Sequence, residues 1–223
     1  MPTASYGAIY EDVNNCRAHN REPTRLVIRT GTLQKLKQQV VREAIWNAAI
    51  DLFTKQGFDE TTVEDIAEAA GVSRRSFFRY FASKDDLMAQ GMHTYGALLS
   101  EEIHACPSSL SPFEVLKRTT LEAAAKITSQ PRTLQLIKIG EDSAAAREAE
   151  VSCMAAVENI VAQAFRRRCR ISAKQDLKAK LLASLTLTIL NLSIGQWAKN
   201  PRRDISPIIL QALSELDQIV SAS

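Results

Sequence analysis

The chain is short of the residues that enzyme sites commonly require. It has 3 histidines and 8 glycines among 223 residues. The glycines are dispersed, so neither a phosphate-cradling loop nor a GxSxG string occurs. The sequence also shows no nucleophile–base pattern. We therefore predict a protein that is not an enzyme and that carries no cofactor.

Cysteine is equally sparse. The residues are far apart, with no CxxC pair and no histidine at matching spacing; they are Cys16, Cys106, Cys153 and Cys169. This pattern argues against a metal site or a disulfide framework and is typical of cytosolic thiols. Residues 1–10 lack the cationic start and apolar run of a signal peptide. The longest apolar tract, residues 181–194, is too short and too often interrupted by polar residues to span a bilayer. We expect a cytoplasmic, nucleoid-associated protein without a membrane partner.

Proline and glycine are too few, and alternating apolar runs too short, for a β-rich fold. Helical periodicity recurs along most of the chain, and 45% hydrophobic residues can supply a sizeable core. Besides two short helices within residues 61–87, the predicted helices cover residues 33–56, 83–104, 111–128, 131–139, 144–168, 172–198 and 205–220. The pattern therefore predicts an all-α protein.

Residues 61–87 begin with the pattern of a capped helix. Thr61 or Thr62 can cap it, with Glu64 or Asp65 three residues later completing a capping box. The apolar residues of this first helix fall on one face at helical spacing; they are Val63, Ile66, Ala67 and Ala70. We predict that this face is buried.

A second short helix follows almost at once, because Gly71 ends the first helix and Ser73 can cap the next. At about 100° per residue, one arc of this helix collects the aromatic residues that we predict to be buried, which are Phe77, Tyr80 and Phe81. The opposite arc presents Arg75, Ser76, Phe78 and Arg79, with Arg74 on its flank. The guanidinium of arginine can donate two hydrogen bonds at once to a guanine edge or to a phosphate. The two helices and their tight turn therefore predict a helix-turn-helix that binds DNA.

Basic residues concentrate around this motif, although the net charge is only +3. They are Lys35, Lys37, Arg42, Lys55, Arg74, Arg75, Arg79 and Lys84. Lys84 is unusual because it opens a helix capped by Ser83, where a cation opposes the helix dipole. Two interpretations stay open here: a lysine that meets a DNA phosphate, and a solvated lysine.

A series of residues between Arg42 and Leu87 recurs at offsets that a generic helical pair would not reproduce. In order, they are Ala48-Ala49, Leu52-Phe53, Gly57-Phe58, Thr61-Thr62-Val63, Ile66-Ala67, Ala70-Gly71-Val72-Ser73, Tyr80-Phe81 and Ser83-Lys84. This series, about a fifth of the chain, resembles the DNA-binding domain of the tetracycline repressor (TetR) family. The resemblance implies an all-helical homodimer. In it, a three-helix N-terminal DNA-binding domain precedes a larger C-terminal domain that dimerises and binds a small molecule.

The resemblance also implies roles for individual residues. Phosphate contacts fall to Thr62, Ser76, the position of Phe78, and Lys84, and base reading falls to Arg74, Arg75 and Arg79, beside the helix cap Ser73. Two positions depart from the family. Arg75 stands where many members have a small residue, commonly glycine, and Phe78 stands where they have a tyrosine whose hydroxyl meets phosphate. The operator sequence therefore cannot be transferred from relatives.

We predict three segments: an N-terminal extension over residues 1–32, a DNA-binding domain over residues 33–87, and a ligand-binding and dimerisation domain over residues 88–223. Two interpretations of the extension stay open. It is either a flexible tail, or a basic arm that touches the groove beside the operator. The arm would use Arg17, Arg21, Arg25 and Arg29.

The last two predicted helices have broad apolar faces. In the first these are Leu177, Leu181, Leu182, Leu185, Ile189 and Leu192, and in the second Ile208, Ile209, Leu213, Leu216 and Ile219. Periodicity alone allows either an intramolecular core or a four-helix seam with a second copy. The resemblance favours the homodimer.

By analogy with the family, an effector pocket lies among the helix that begins near Ser83 and the next three helices. The candidate lining residues are Met88, Met92, Tyr95, Phe113, Leu116, Ile137, Met154 and Trp197. Methionine adapts to irregular ligands, so this set favours an apolar or amphiphilic effector over a metal or a highly charged one.

Together these features predict a sequence-specific regulator that binds a palindromic operator in double-stranded DNA as a homodimer. We expect a repressor that the effector releases. The alternative is a dimeric DNA-binding activator, or a protein that organises DNA without an effector.

Overall fold

A computed structural model describes residues 30–221, and every regular element in that range is helical. The chain divides into two compact units, residues 1–38 and residues 39–223. The described part of the first unit is helical, and its Leu33 and Leu36 side chains are exposed. The prediction of an all-α fold is confirmed.

The α-helices of the described residues are α1 (Thr30–Gln56), α2 (Val63–Ala69), α3 (Arg74–Tyr80), α4 (Lys84–Ala105), α5 (Pro112–Thr128), α6 (Thr133–Asp142), α7 (Ala144–Arg168), α8 (Asp176–Ala198) and α9 (Ser206–Ser221). A short 3-10 helix, Ala173–Gln175, precedes α8. The helix predicted to start at residue 33 begins at Thr30 instead, so the predicted extension is shorter than residues 1–32. The candidate basic arm lies outside the described residues.

Helix α6 differs most from its predicted bounds of residues 131–139. It begins at Thr133 and continues through Glu141 to Asp142. Gly140 follows the predicted end at residue 139, but it is buried inside the last turn of α6 and does not stop the helix. Ser143 then caps α7 by accepting a hydrogen bond from the backbone N–H of Ala146 at 3.1 Å. Ser143 is therefore the N-cap of α7, and Glu141 and Asp142 belong to the last turn of α6.

Two hydrophobic cores stabilise residues 39–221. The N-terminal core packs α1, α2, α3 and the start of α4 around Phe77 and Phe81. It also contains three residues from α6 and α7, namely Ile139, Ala146 and Ala149. The helix-turn-helix thus shares its core with helices that the sequence assigned to the second domain. We retain the division near residue 87 as a proposal.

The C-terminal core is built mainly from α4, α5, α7, α8 and α9. Helix α4 packs most extensively against α7, which packs in turn against α8. Helix α4 has 22 residues, which corresponds to about 33 Å. Its Leu87 and Met88 side chains lie in the N-terminal core, whereas Leu99 and Ile103 lie in the C-terminal core. One continuous helix therefore joins both cores.

Helix α8 extends the apolar tract at residues 181–194 in both directions, to 23 residues. By length and composition alone, α8 could cross a membrane, since its most apolar 18-residue window has a mean hydropathy of 1.4, and it is the one such helix among residues 30–221. Of its most apolar window, 44% is buried within the protein, against α5, α7 and α9. A central helix of a helical core has the same properties.

Candidate DNA-binding surface

Thr62 begins the helix-turn-helix with a capping box. Its Oγ1 accepts a hydrogen bond from the backbone N–H of Asp65 at 3.1 Å, and its own N–H donates to Asp65 Oδ2 at 2.9 Å. The Thr62 hydroxyl also donates to Oδ2 at 2.7 Å, and this bond, with the one from the Thr62 backbone N–H, lowers the pKa of the Asp65 carboxyl. Of the two predicted caps and two predicted acids, the structure thus pairs Thr62 with Asp65. This cap fixes where α2 starts.

Two glycines shape the connections on either side of α2. Gly57 has a φ of 94° and Gly71 a φ of 66°, a left-handed region that other residues enter only with strain. After Gly71, Ser73 Oγ accepts from the backbone N–H of Ser76 at 3.1 Å and donates to its hydroxyl at 3.0 Å. The predicted cap at Ser73 is confirmed, and it sets the start of α3.

The inner face of α3 anchors it to the domain. Phe77 and Phe81 are 0% and 1% exposed, and their ring centroids are 5.9 Å apart. Tyr80 is only half-buried. Arg42 of α1 places its guanidinium 4.7 Å from the centroid of the Phe81 ring. It also donates to the carbonyl of Tyr80 and to Gln90. We predicted that Arg42 is one of the basic residues near DNA, whereas in the structure it joins α1 to α3 and α4.

The outer face of α3 is cationic and open to solvent. Arg74, Arg75 and Arg79 are exposed, and Phe78 is 47% exposed between them. Arg79 lies 5.0 Å from the centroid of the Tyr80 ring. Arg75 has no hydrogen-bond or ion-pair partner among residues 30–221. The structure therefore brings the predicted DNA-binding residues of α3 together on one exposed face.

Arg74 has a partner that the sequence did not predict. Its Nε lies 2.9 Å from Oε1 of Glu64 in the first turn of α2. The Cζ atom of the same guanidinium lies 5.5 Å from the centroid of the Phe78 ring. Residues ten positions apart on different helices have no periodic relationship, so only the turn geometry brings Glu64 and Arg74 together.

Lys84 is the first residue of α4, and its ammonium group already has partners. It donates to the carbonyls of Phe58, Asp59 and Thr61. These contacts provide a structural reason for a cation in the first turn of α4. A phosphate contact from Lys84 stays a prediction.

The predicted effector residues do not form one group. Leu116 and Trp197 are buried in the C-terminal core, and Met92, Tyr95 and Met154 pack against it. The other three lie elsewhere: Met88 belongs to the N-terminal core, Phe113 is 47% exposed, and Ile137 is half-buried outside both cores. Phe113 therefore does not line the core with the others. The Tyr95 hydroxyl is buried with no hydrogen-bond partner among the described residues, and burial raises its pKa.

A shallow cleft of about 210 Å³ lies elsewhere, between α6 and the loop that follows α1. Phe58, Asp59, Lys138 and Asp142 contribute to its walls, and none of the predicted effector residues does. Beside it, the Ser143 hydroxyl donates to Asp59 at 3.2 Å. Arg132 forms a two-pronged ion pair with Asp51 of α1 at 2.8 and 3.3 Å. Helix α6 is thus joined to α1 and its loop by polar contacts.

Comparison with known proteins identifies the helix-turn-helix. Residues 45–90 match the family model described as "Bacterial regulatory proteins, tetR family". The chain is also similar to the HTH-type transcriptional regulator TcmR of Streptomyces glaucescens, with 33% identity over 89 residues, covering 40% of this chain and 37% of that protein. The chain spans less than half the length of the curated relatives it matches first.

Solved structures extend the likeness beyond the helix-turn-helix. A putative TetR-family regulator from Syntrophomonas wolfei superposes with a TM-score of 0.61 at 17% identity, covering 81% of this chain and 95% of that one. Thermus thermophilus FadR, a TetR-family repressor solved in complex with lauroyl-CoA, superposes with a TM-score of 0.52 at 27% identity, covering 79% and 93%. The chain thus carries a helix-turn-helix that matches the tetR family model, and its helices share the fold of these solved TetR-family structures.

Proposed function

We propose that this protein is a transcriptional repressor that binds a palindromic operator as a homodimer and is released by a small-molecule effector. The observation that carries the proposal is the exposed face of α3, where Arg74, Arg75 and Arg79 project from a helix anchored by Phe77 and Phe81. A helix so anchored can enter the major groove with its arginines directed at base edges. For this role we expect the protein to lie in the cytoplasm, associated with the nucleoid.

The capped helix ends support the orientation of this surface. The exposed Thr62 caps α2, and the half-buried Ser76 lies in the first turn of α3, where hydroxyls and backbone N–H groups can meet phosphate oxygens. Phe78 has no hydroxyl, so its position contributes a ring instead of a phosphate contact. We assign base reading to the three arginines, and phosphate contacts to Thr62, Ser76 and Lys84.

The exposed apolar residues of the last two helices support a homodimer. Leu177, Leu181 and Leu192 on α8 are 70%, 53% and 67% exposed, and Leu210 on α9 is 44% exposed. Apolar surface of this kind on neighbouring helices marks an interaction site. A two-fold axis through α8 and α9 would pair this surface with itself. It would also present two α3 helices to half-sites about 34–36 Å apart, or a multiple of that spacing.

The chemistry of the C-terminal core favours an amphiphilic effector. Met92, Met154 and Tyr95 all pack against this core, where the methionines provide adaptable apolar surface. The buried Tyr95 hydroxyl could hydrogen-bond to a polar group of the ligand. The Thermus relative was solved with lauroyl-CoA, an amphiphile with a long apolar chain. Release from DNA requires that the effector bind more tightly to the conformation that cannot bind the operator. A tilt of α4, which joins both cores, is our candidate for that difference.

The first test is selection of bound fragments from random DNA at physiological salt, followed by titration of the recovered site with lauroyl-CoA as the probe. We expect a palindrome whose affinity falls when the probe is added. No enriched sequence would overturn sequence-specific regulation and favour a general DNA-organising protein. If binding of the protein to the palindrome increased transcription from an adjacent promoter, the protein would be an activator and not a repressor.

A further inference from the structure

An acidic side chain lies among the arginines of the DNA-binding face. Glu64 and Arg74 are 58% and 67% exposed, and their ion pair at 2.9 Å links the first turn of α2 to the first turn of α3. The Cζ atom of the same guanidinium lies 5.5 Å from the centroid of the Phe78 ring. The Arg74 guanidinium therefore contacts both a carboxylate and an aromatic ring.

A carboxylate at this place opposes DNA binding in general. It adds a negative charge to a surface whose affinity depends on neutralising phosphates. An exposed ion pair also adds little to the stability of a fold. Glu64 does gain from the dipole of α2, but that gain requires no contact with Arg74. Neither general DNA affinity nor fold stability therefore explains the Glu64–Arg74 ion pair, which leaves a role in recognising a DNA sequence.

The atoms that form the ion pair indicate what this explanation is. Glu64 accepts from Nε of Arg74, which leaves both Nη groups of the guanidinium for another partner. Two adjacent N–H donors match the O6 and N7 acceptors of guanine in the major groove. A guanidinium that is already oriented loses less freedom when it binds. The exposed carboxylate of Glu64 is thus compatible with DNA binding, because it orients the guanidinium of Arg74.

We propose that Glu64 and Phe78 are positioning residues for Arg74, and that Arg74, so oriented, reads a guanine of the operator. The proposal rests on the proposed function, because it requires a preferred DNA sequence. It also gives a role to the phenylalanine at position 78, where the family commonly has a tyrosine. Its ring supports a base-reading arginine in place of a hydroxyl that meets phosphate.

The test uses the full chain and a panel of duplexes that carry single base-pair changes in the selected operator, beside an unrelated duplex. Glu64→Asp keeps the charge but shortens the side chain by one methylene, so it separates reach from charge. Glu64→Gln removes the charge, and Glu68→Gln on the exposed side of α2 is its matched control. Arg74→Ala identifies the base pair that depends on Arg74.

We expect Arg74→Ala to abolish preference at one G·C pair, and Glu64→Asp to reduce preference at that same pair by about fivefold or more without changing affinity for the unrelated duplex. Glu64→Gln and Glu68→Gln should both bind the unrelated duplex more tightly, yet only Glu64→Gln should lose discrimination. Phe78→Leu should reduce discrimination at the same pair. Full discrimination by both Glu64 variants would overturn the proposal, as would an Arg74→Ala effect at no particular base pair. If the wild-type protein selects no sequence, the proposed function itself fails, and that result is visible before any variant is compared.

Discussion

The Nζ atom of Lys84 lies 2.8 Å from the carbonyl oxygen of Phe58 and 4.6 Å from the centroid of the Phe58 ring. The carbonyls of Asp59 and Thr61 accept from the same ammonium at 3.1 and 3.3 Å. One side chain from the start of α4 therefore binds the turn that leads into α2. The position of the helix-turn-helix depends on this contact.

We expect Lys84→Met to lower the free energy of unfolding by about 1–3 kcal/mol, because it removes hydrogen bonds from a charged donor to three carbonyls. Urea denaturation measures the change. Lys117→Met on the exposed surface of α5 is the control, with an expected change within about 0.5 kcal/mol. Weaker operator binding at unchanged stability would instead show that Lys84 acts mainly on phosphate.

Arg75 is the arginine of α3 that lacks an intramolecular partner among the described residues. Arg75→Ala should cost about 1–3 kcal/mol of operator affinity and relax preference at one base step. Titration against the duplex panel measures both effects. An equal loss on every sequence, with a salt dependence weaker by about one phosphate, would make Arg75 a phosphate contact.

The Tyr95 hydroxyl is buried without a partner among residues 30–221, and a buried unsatisfied hydroxyl costs about 1–3 kcal/mol. Tyr95→Phe should therefore make the ligand-free protein more stable while weakening the binding of lauroyl-CoA. Thermal unfolding with and without this probe measures both changes. A variant that binds the probe as tightly as the wild type would remove Tyr95 from the effector site.

Burial raises the pKa of the Glu150 carboxyl on α7, and Arg147 offsets part of that rise. An acid whose pKa is raised by folding destabilises the protein at pH values above that folded pKa, and the penalty disappears below the unfolded pKa, near 4.3. Glu150→Gln should therefore stabilise the protein near pH 7 and have little effect near pH 4. Urea denaturation at both pH values tests this, with the exposed Glu148→Gln as the charge-matched control. An equal effect of Glu150→Gln at both pH values would contradict it.

The local features of the DNA-binding surface were predictable because short-range patterns determine them. The cap at Ser73 and the buried Phe77 follow from residues within one or two turns of each other. The contacts of Lys84 with Phe58 and of Arg42 with Tyr80 join residues 26 and 38 positions apart. Such contacts depend on how whole helices pack, which periodicity does not specify. The exposure of Phe113 has the same origin, since a residue in the first turn of a helix is not buried by spacing alone.

The residues at the boundary of the N-terminal core bear on how such regulators can be recombined. Ile139, Ala146 and Ala149 are 4%, 0% and 9% exposed within that core, although they lie 49 to 59 positions beyond the last of the residues 45–90 that match the family model. If the DNA-binding domain were fused to the effector domain of another regulator, it would contact different side chains at these three positions. Chimeras should therefore fold and bind DNA well only when the recipient presents a large apolar residue and two small ones there, so compatibility between modules resides in α6 and α7.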